Sequence, residues 1–247
     1  MLIAARNGFL AGGWKNPYIT DGLVAMWDGE WNAGGGKHDA NATSWVDLTG
    51  NGWDFPATNL VFASDHVEVM ADTQTTKMSA EFWEWSAVSF DSVCERPAYN
   101  PSDSRNNGYF NLGRIGLYPM GHPINVLWKW IDSNTSNNFR AMYYNSSTAV
   151  ERNQEVYELA SRAFVANLNS SSAADQIAYQ NARATNSSLT DLTWYTSTYQ
   201  HGSLPFNLYA GTSKPVKLYG IRLYNRALTA SEIAANYAVD KARFNLP

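Results

Sequence analysis

Short apolar runs, each stopped by a cluster of Gly, Asn, Asp, Ser or Pro, recur along almost the whole chain, and this punctuation limits what the chain can fold into. Runs of that length are strands, not helices, when turn residues bound them and β-branched or aromatic residues fill them. Leu23–Val24–Ala25–Met26–Trp27 is the first. Ser44–Trp45–Val46–Asp47–Leu48 follows and ends at the turn Thr49–Gly50–Asn51–Gly52. Further strands are expected at Leu60–Ala63, His66–Met70, Phe82–Val93 (one long strand), Ile124–Ile131, Phe139–Tyr144, Phe206–Ala210 and Val216–Tyr224. Tyr109–Leu112 and Ile115–Tyr118 form an expected hairpin, and Gln176–Ala182 a further strand. Tyr157, Leu159, Ser161, Ala163 and Val165 sit two apart and read as a strand, with a short helix over Glu155–Phe164 as the alternative. Gly29–Asp39, Asn100–Asn107 and Asn167–Ala173 read as loops.

One helix stands out against this pattern. Thr229–Ala230–Ser231–Glu232 is a capping box, in which the threonine oxygen accepts from the third backbone N–H and the glutamate reaches back to the cap. Ile233 and Tyr237 then share a face, and Lys241 and Arg243 sit near the negative end of the helix dipole. Many short strands with one terminal helix predict an all-β sandwich rather than a parallel α/β fold. Residues 1–20, broken by Gly12–Gly13 and Asn16–Pro17, read as an N-terminal arm, and residues 21–247 as one domain.

The composition supports a packed core without covalent staples. Apolar residues are 45% of the chain and charged residues 16%, and there are 10 Trp, 14 Tyr and 10 Phe. The lone Cys94 has no intrachain partner and is read as a small buried hydrophobe. A net charge of −4 without a basic run argues against nucleic acid, and no apolar run approaches a membrane span. Nothing at the N-terminus reads as a signal peptide. The five Asn-x-Ser/Thr sequons, at Asn41, Asn134, Asn145, Asn169 and Asn186, are read as chance matches in a chain rich in Asn and Ser.

Two segments resemble the ends of a laminin-G-like (concanavalin A-like) domain. Gly22–Leu23–Val24–Ala25–Met26–Trp27–Asp28, with Trp45–Val46–Asp47–Leu48–Thr49–Gly50–Asn51–Gly52, is similar to that family's opening strand and turn. Leu218 to Ile233 is similar to its closing strand and terminal helix. The resemblance implies an antiparallel jelly-roll sandwich. With the arm and the start at Met1, it also implies a virion component, such as a bacteriophage tail, fibre or head-decoration protein, assembled in the host cytoplasm. Such a protein would contact other virion subunits through the arm, form homo-oligomers and attach to surface glycans. The alternative is a secreted or cell-surface carbohydrate-binding module, or a glycan-active enzyme, of bacterial origin.

No enzyme motif is legible. The chain lacks a Gly-x-Ser-x-Gly elbow and a His-Glu-x-x-His pair, and the four histidines are far apart. Glycosidases of this fold class need two carboxylates converging on one bond, and Glu81 and Glu84 lie three apart, on opposite faces of a strand. Two candidate sites remain. Asp47, Thr49 and Asn51 place oxygen side chains at alternate positions before Gly52, as a calcium loop does, although the bidentate acid such a loop ends on is missing. Laminin-G-like domains often hold a structural calcium ion, which is the one cofactor the resemblance implies; a tight turn closed by Asn and Gly is the plainer reading. Trp128 and Trp130 lie two apart, as do Trp83 and Trp85. Either pair can fill the core or form an aromatic platform for a sugar ring, with Tyr143, Tyr144 and Asn145 as hydrogen-bonding neighbours of Trp128 and Trp130.

Overall fold

A computed structural model describes residues 15–70, 73–79, 87–95, 109–115, 124–130, 137–145, 148–155, 163–169, 177–180, 183–188, 204–211 and 215–247, with the side chains of 15–70, 89–95, 208 and 215–247. In chain order the strands are β1 (Leu23–Asp28), β2 (Ser44–Trp45), β3 (Phe55–Pro56), β4 (Leu60–Phe62), β5 (Val67–Val69), β6 (Thr73–Ser79), β7 (Ala87–Glu95) and β8 (Tyr109–Ile115). They continue with β9 (Ile124–Trp130), β10 (Asn137–Asn145), β11 (Thr148–Glu155), β12 (Ala163–Asn169), β13 (Ile177–Gln180), β14 (Arg183–Ser188), β15 (Leu204–Gly211) and β16 (Val216–Tyr224). The helix α1 (Ala230–Phe244) closes the chain. The described residues are therefore antiparallel β-strands with one C-terminal helix, consistent with an all-β fold.

The strands form an eight-stranded sheet, β14-β13-β12-β7-β16-β5-β4 with β1 added on β16, a six-stranded sheet, β11-β10-β9-β8-β15-β6, and the small pair β2-β3. β16 is the axis of the larger sheet. One of its edges pairs along its length with β7; the other is shared end to end, Val216–Leu218 with β5 and Gly220–Tyr224 with β1. Eight of its nine residues are buried, because both faces of the sheet are covered. On one face lies α1, with Tyr18, Leu23, Met26, Leu48, Tyr224, Leu228 and Ile233 in one apolar cluster and Val93, Tyr219, Phe244 and Leu246 in another. On the other face lie Ala25, Trp27, Ile221 and Leu223, where the Trp27 and Phe55 rings are 4.9 Å apart.

The helix begins as the sequence predicts. Thr229 Oγ1 accepts from the Glu232 N–H, and Glu232 Oε2 accepts from the Thr229 N–H at 2.9 Å. Arg226 adds a fork onto Glu232, at 2.9 and 2.6 Å. Asn245 ends the helix in the left-handed region, φ 50°, as residues just past a helix end often do.

Several expected strands differ from the observed ones. Ser44–Leu48 keeps strand geometry only at Ser44–Trp45, because Asp47 is drawn into a turn. Tyr109–Ile115 is one strand between β15 and β9, so Gly113 and Arg114, between the two expected hairpin arms, lie inside it, beside a register shift between Asn111 and Gly113; residues 116–118 of the expected second arm lie outside the described residues. The expected long strand from Phe82 begins at Ala87, residues 80–86 lying outside the described residues. Of the strand expected over Tyr157–Val165, residues 157–162 lie outside the described residues; Ala163–Asn169 is strand, so the start of the Asn167–Ala173 loop is also strand. Gln176–Ala182 is Ile177–Gln180, followed by β14.

Three strands carry no apolar signal: β6, β11 and β14, with sequences TQTTKMS, TAVERNQE and RATNSS. All three stand at a terminal position of a sheet. An edge strand exposes one side of its backbone, and polar side chains there discourage pairing with other chains.

The described part of the expected arm packs on the domain. Tyr18 is buried, and the Ile19 N–H donates to Asn236 Oδ1 on α1 at 3.0 Å. Residues 1–14 lie outside the described residues.

Candidate functional site

Beneath α1 the sheet carries charge instead of hydrocarbon. Arg222, on β16, is 1% exposed and donates to both oxygens of Asp91 on β7, at 2.9 and 3.0 Å, and to Asp240 on the helix at 2.9 Å. Asn236 Nδ2 donates to Asp91 and to the Tyr224 hydroxyl, both at 2.9 Å. Tyr18 Oη donates to Asp240 at 2.8 Å, and the Arg222 guanidinium lies 4.0 Å above its ring. Burial pushes the Asp240 carboxyl upward against the pull of Arg222, and pushes the Tyr18 phenol upward as well. Each carboxylate oxygen of Asp91 and Asp240 accepts from Arg222. The network can therefore fasten helix to sheet, but it presents no acid or base to a substrate.

The network reaches the surface through Arg243. This residue forks Asp28 at 2.7 and 2.9 Å, donates to Tyr18 Oη at 2.7 Å and to Glu30 Oε2 at 2.8 Å, and lies 3.8 Å above the Trp31 ring. Burial pulls the Arg243 pKa down, but Asp28, Tyr18 and Glu30 together more than offset this and raise it. Asp28 also starts the loop that carries Trp31, its Oδ1 accepting from the Glu30 and Trp31 N–H groups at 3.0 and 3.1 Å. The loop is closed by Asn32, fully buried, whose amide exchanges hydrogen bonds with the backbone of Asp39 at 2.8 and 3.0 Å. Gly34, Gly35 and Gly36 all have positive φ, which lets the chain reverse inside this short span.

Between the loop and α1 runs an open groove of about 710 Å³. Trp31, Glu30, Lys15 and Pro17 form one wall, and Ala238 and Ala242 of the helix the other. Apolar side chains (Pro17, Trp31, Ala238, Val239 and Ala242) and charged ones (Lys15, Glu30 and Arg243) line it. Sequence reading passed over it, because its two walls are 207 residues or more apart in the chain (Trp31 to Ala238). The glycine-rich loop Gly29–Asp39 that holds Trp31 was the signal for it.

The candidates from the sequence fall elsewhere. Asp47 is buried, and its carboxylate accepts from the N–H groups of Met26, Thr49 and Trp53, at 3.1, 3.0 and 3.2 Å, and from the Thr49 hydroxyl at 2.8 Å. Asn51 turns its amide nitrogen onto Val24 O at 2.9 Å. Donors surround the carboxylate where a cation would have to lie, so this set does not fit a calcium ion; it fits a turn tied to β1. Burial raises the Asp47 pKa, and these donors oppose the rise. Among the described residues no three His, Cys, Asp or Glu side chains gather as metal ligands. Cys94 is buried, as its sequence context suggests.

Trp128 and Trp130 lie on β9 of the six-stranded sheet, in register with Phe139 and Asn137 of β10. Tyr143, Tyr144 and Asn145 lie past the last β9 pairing and pair with β11 only. At about 3.3 Å per residue, Tyr143 is roughly 13 Å along the strand from the position opposite Trp128. The two sets therefore share a sheet but not one compact patch. Glu81, Glu84, Trp83 and Trp85 lie outside the described residues.

No family model matches the chain, and no curated protein matches it. Solved structures do. The sialidase of Trypanosoma rangeli in complex with sialic acid has TM-score 0.58 and 18% identity over 94% of this chain and 35% of that one. The binding domain of Paraclostridial Mosquitocidal Protein 1 has TM-score 0.57 and 14% identity, over 87% of this chain and 52% of that one. The binding domain of botulinum neurotoxin serotype G has TM-score 0.57 and 12% identity, over 89% of this chain and 51% of that one. The chain thus spans about a third to a half of the length of these proteins, and what it shares with them is the fold.

Proposed function

We propose that this chain is a non-catalytic glycan-binding domain built as a jelly-roll β-sandwich. The observation that carries the reading is the likeness of nearly the whole chain to part of a sialidase and to two toxin binding domains. Fold alone does not fix function, so the site must support it. The described residues contribute an open groove with an aromatic side chain beside a carboxylate and an ammonium group. Among their buried carboxylates Asp28, Asp91 and Asp240 are each tied to an arginine, and Asp47 to backbone N–H groups.

The likenesses favour a secreted or cell-surface binding module over the virion attachment protein that the resemblance of the chain ends implies. Self-association belongs to the same proposal, since weak single-site affinities for sugars gain strength from multiple copies. The test is a glycan array probed with the purified chain, run beside a reducing-sugar assay on the bound glycans. Binding without sugar release is the expected result. Release of sugar would replace this reading with an enzymatic one, and an array without a bound glycan would remove it. Trp128→Ala and Trp130→Ala, assayed on the same array, test whether β9 contributes a contact.

A further inference from the structure

We infer that the groove between Trp31 and α1 is a saccharide site that takes an uncharged pyranose; this rests on the glycan-binding reading above. Three features of the groove match that chemistry. Its volume, about 710 Å³, lies within the range of small-molecule sites, and it is open, as an end of a surface glycan requires. Its apolar lining comes from Pro17, Ala238, Val239, Ala242 and the Trp31 ring, one face of which Arg243 covers, and such a lining suits the C–H face of a sugar.

Its lining also holds both kinds of hydrogen-bonding group. Glu30 is half-exposed, with one oxygen held by Arg243, so the carboxylate is fixed before a ligand arrives. Lys15 is exposed on the same wall. A carboxylate and an ammonium together can accept from one hydroxyl and donate to its neighbour, the pattern a vicinal diol presents. The charges also cancel: buried Asp28, outside the lining, matches the Arg243 guanidinium, and Glu30 and Lys15 carry opposite charges in the lining. Cancelled charges give no net attraction to an acidic sugar, and Glu30 repels one.

Glu30→Gln and Ala238→Trp separate this idea from a loss of folding. Neither residue is buried, and Ala238 touches none of the network under the helix, so both variants are expected to melt with the parent. The probes are methyl glucoside, methyl galactoside, methyl mannoside and sialyllactose, followed by amide chemical shifts, with the glycan array alongside. The expected result is that at least one methyl pyranoside shifts the Trp31 indole and the Ala238 and Ala242 amides. Ala238→Trp, which fills the groove, should then weaken binding roughly tenfold or more, about 1.4 kcal/mol. Glycans that bind the parent and Ala238→Trp alike would overturn the groove and leave the glycan-binding function standing. Sialyllactose binding in the groove in place of the neutral sugars would overturn the ligand class. No bound glycan of any kind would overturn the function itself.

Discussion

Arg222 of the central strand and Asp240 of the terminal helix meet at 2.9 Å in a site where each side chain is 1% exposed. Eighteen residues separate them, and the turn at Asn225–Thr229 folds the helix back so that they meet. The helix is thus fastened to the sheet by a fork of charge as well as by its apolar face.

Removing one partner of such a pair leaves the others buried and uncompensated. Arg222→Met would strand Asp91 and Asp240 together, and a loss of about 3–5 kcal/mol is expected. Arg222→Lys keeps the charge but cannot make the fork, and should recover only part of it. Urea titration of the two variants beside the parent measures both. Equal stability of all three would show that the network contributes nothing.

Gly29 has a different constraint. A Cβ there would lie 2.5 Å from His66 Cα and 2.8 Å from Asp65 O, both backbone atoms of another loop. Its φ is not in the left-handed region, so the demand is space alone. Gly29→Ala should cost about 1–3 kcal/mol through forced separation of the two loops. Gly50→Ala meets no atom but is strained at φ 77°. Thermal melts of the pair compare the two costs.

The helix cap predicts a pH dependence. Glu232 is held at about 2, below the ordinary 4.5, chiefly by its hydrogen bonds from Arg226. A carboxyl held low in the folded chain adds stability that is complete above pH 4.5 and lost as pH falls from there toward 2. Glu232→Gln should remove that slope, most visibly in helix CD, while Thr229→Ala, which loses the cap and one donor to Glu232, should cost about 1 kcal/mol at neutral pH and less in acid. An acid limb unchanged in Glu232→Gln would show that other carboxyls set it.

The Asp47 turn predicts indifference to calcium. Millimolar calcium and a chelator should leave the melting temperature equal. Asp47→Ala should lower stability by about 3 kcal/mol, since it deprives several buried donors of their acceptor. A rise in melting temperature on adding calcium would assign the turn an ion after all.

The sequence by itself determined the elements whose signals are local. The capping box at Thr229–Glu232 specifies the helix start with four residues, and the apolar runs at Leu23–Trp27 and Val216–Tyr224 specify strands buried on both sides. Polar edge strands such as Thr148–Glu155 were illegible, because a strand with one unpaired edge and solvent nearby needs no apolar alternation. Gly113 and Arg114, between the expected arms Tyr109–Leu112 and Ile115–Tyr118, lie inside one strand, because a glycine marks a bulge as readily as a turn.

Only the tertiary structure decided the rest. Arg222 and Asp91 look like ordinary surface charges in the chain, and the register of β16 on β7 makes them a buried pair. Asp47 looks like a calcium ligand until the backbone N–H groups of Met26 and Trp53 are brought to it. Trp31 became a candidate contact only when residues more than two hundred positions away supplied the opposite wall. The physical reason is common to all three: a side chain's chemistry is set by the groups that desolvate and surround it, and those groups come from distant parts of the chain.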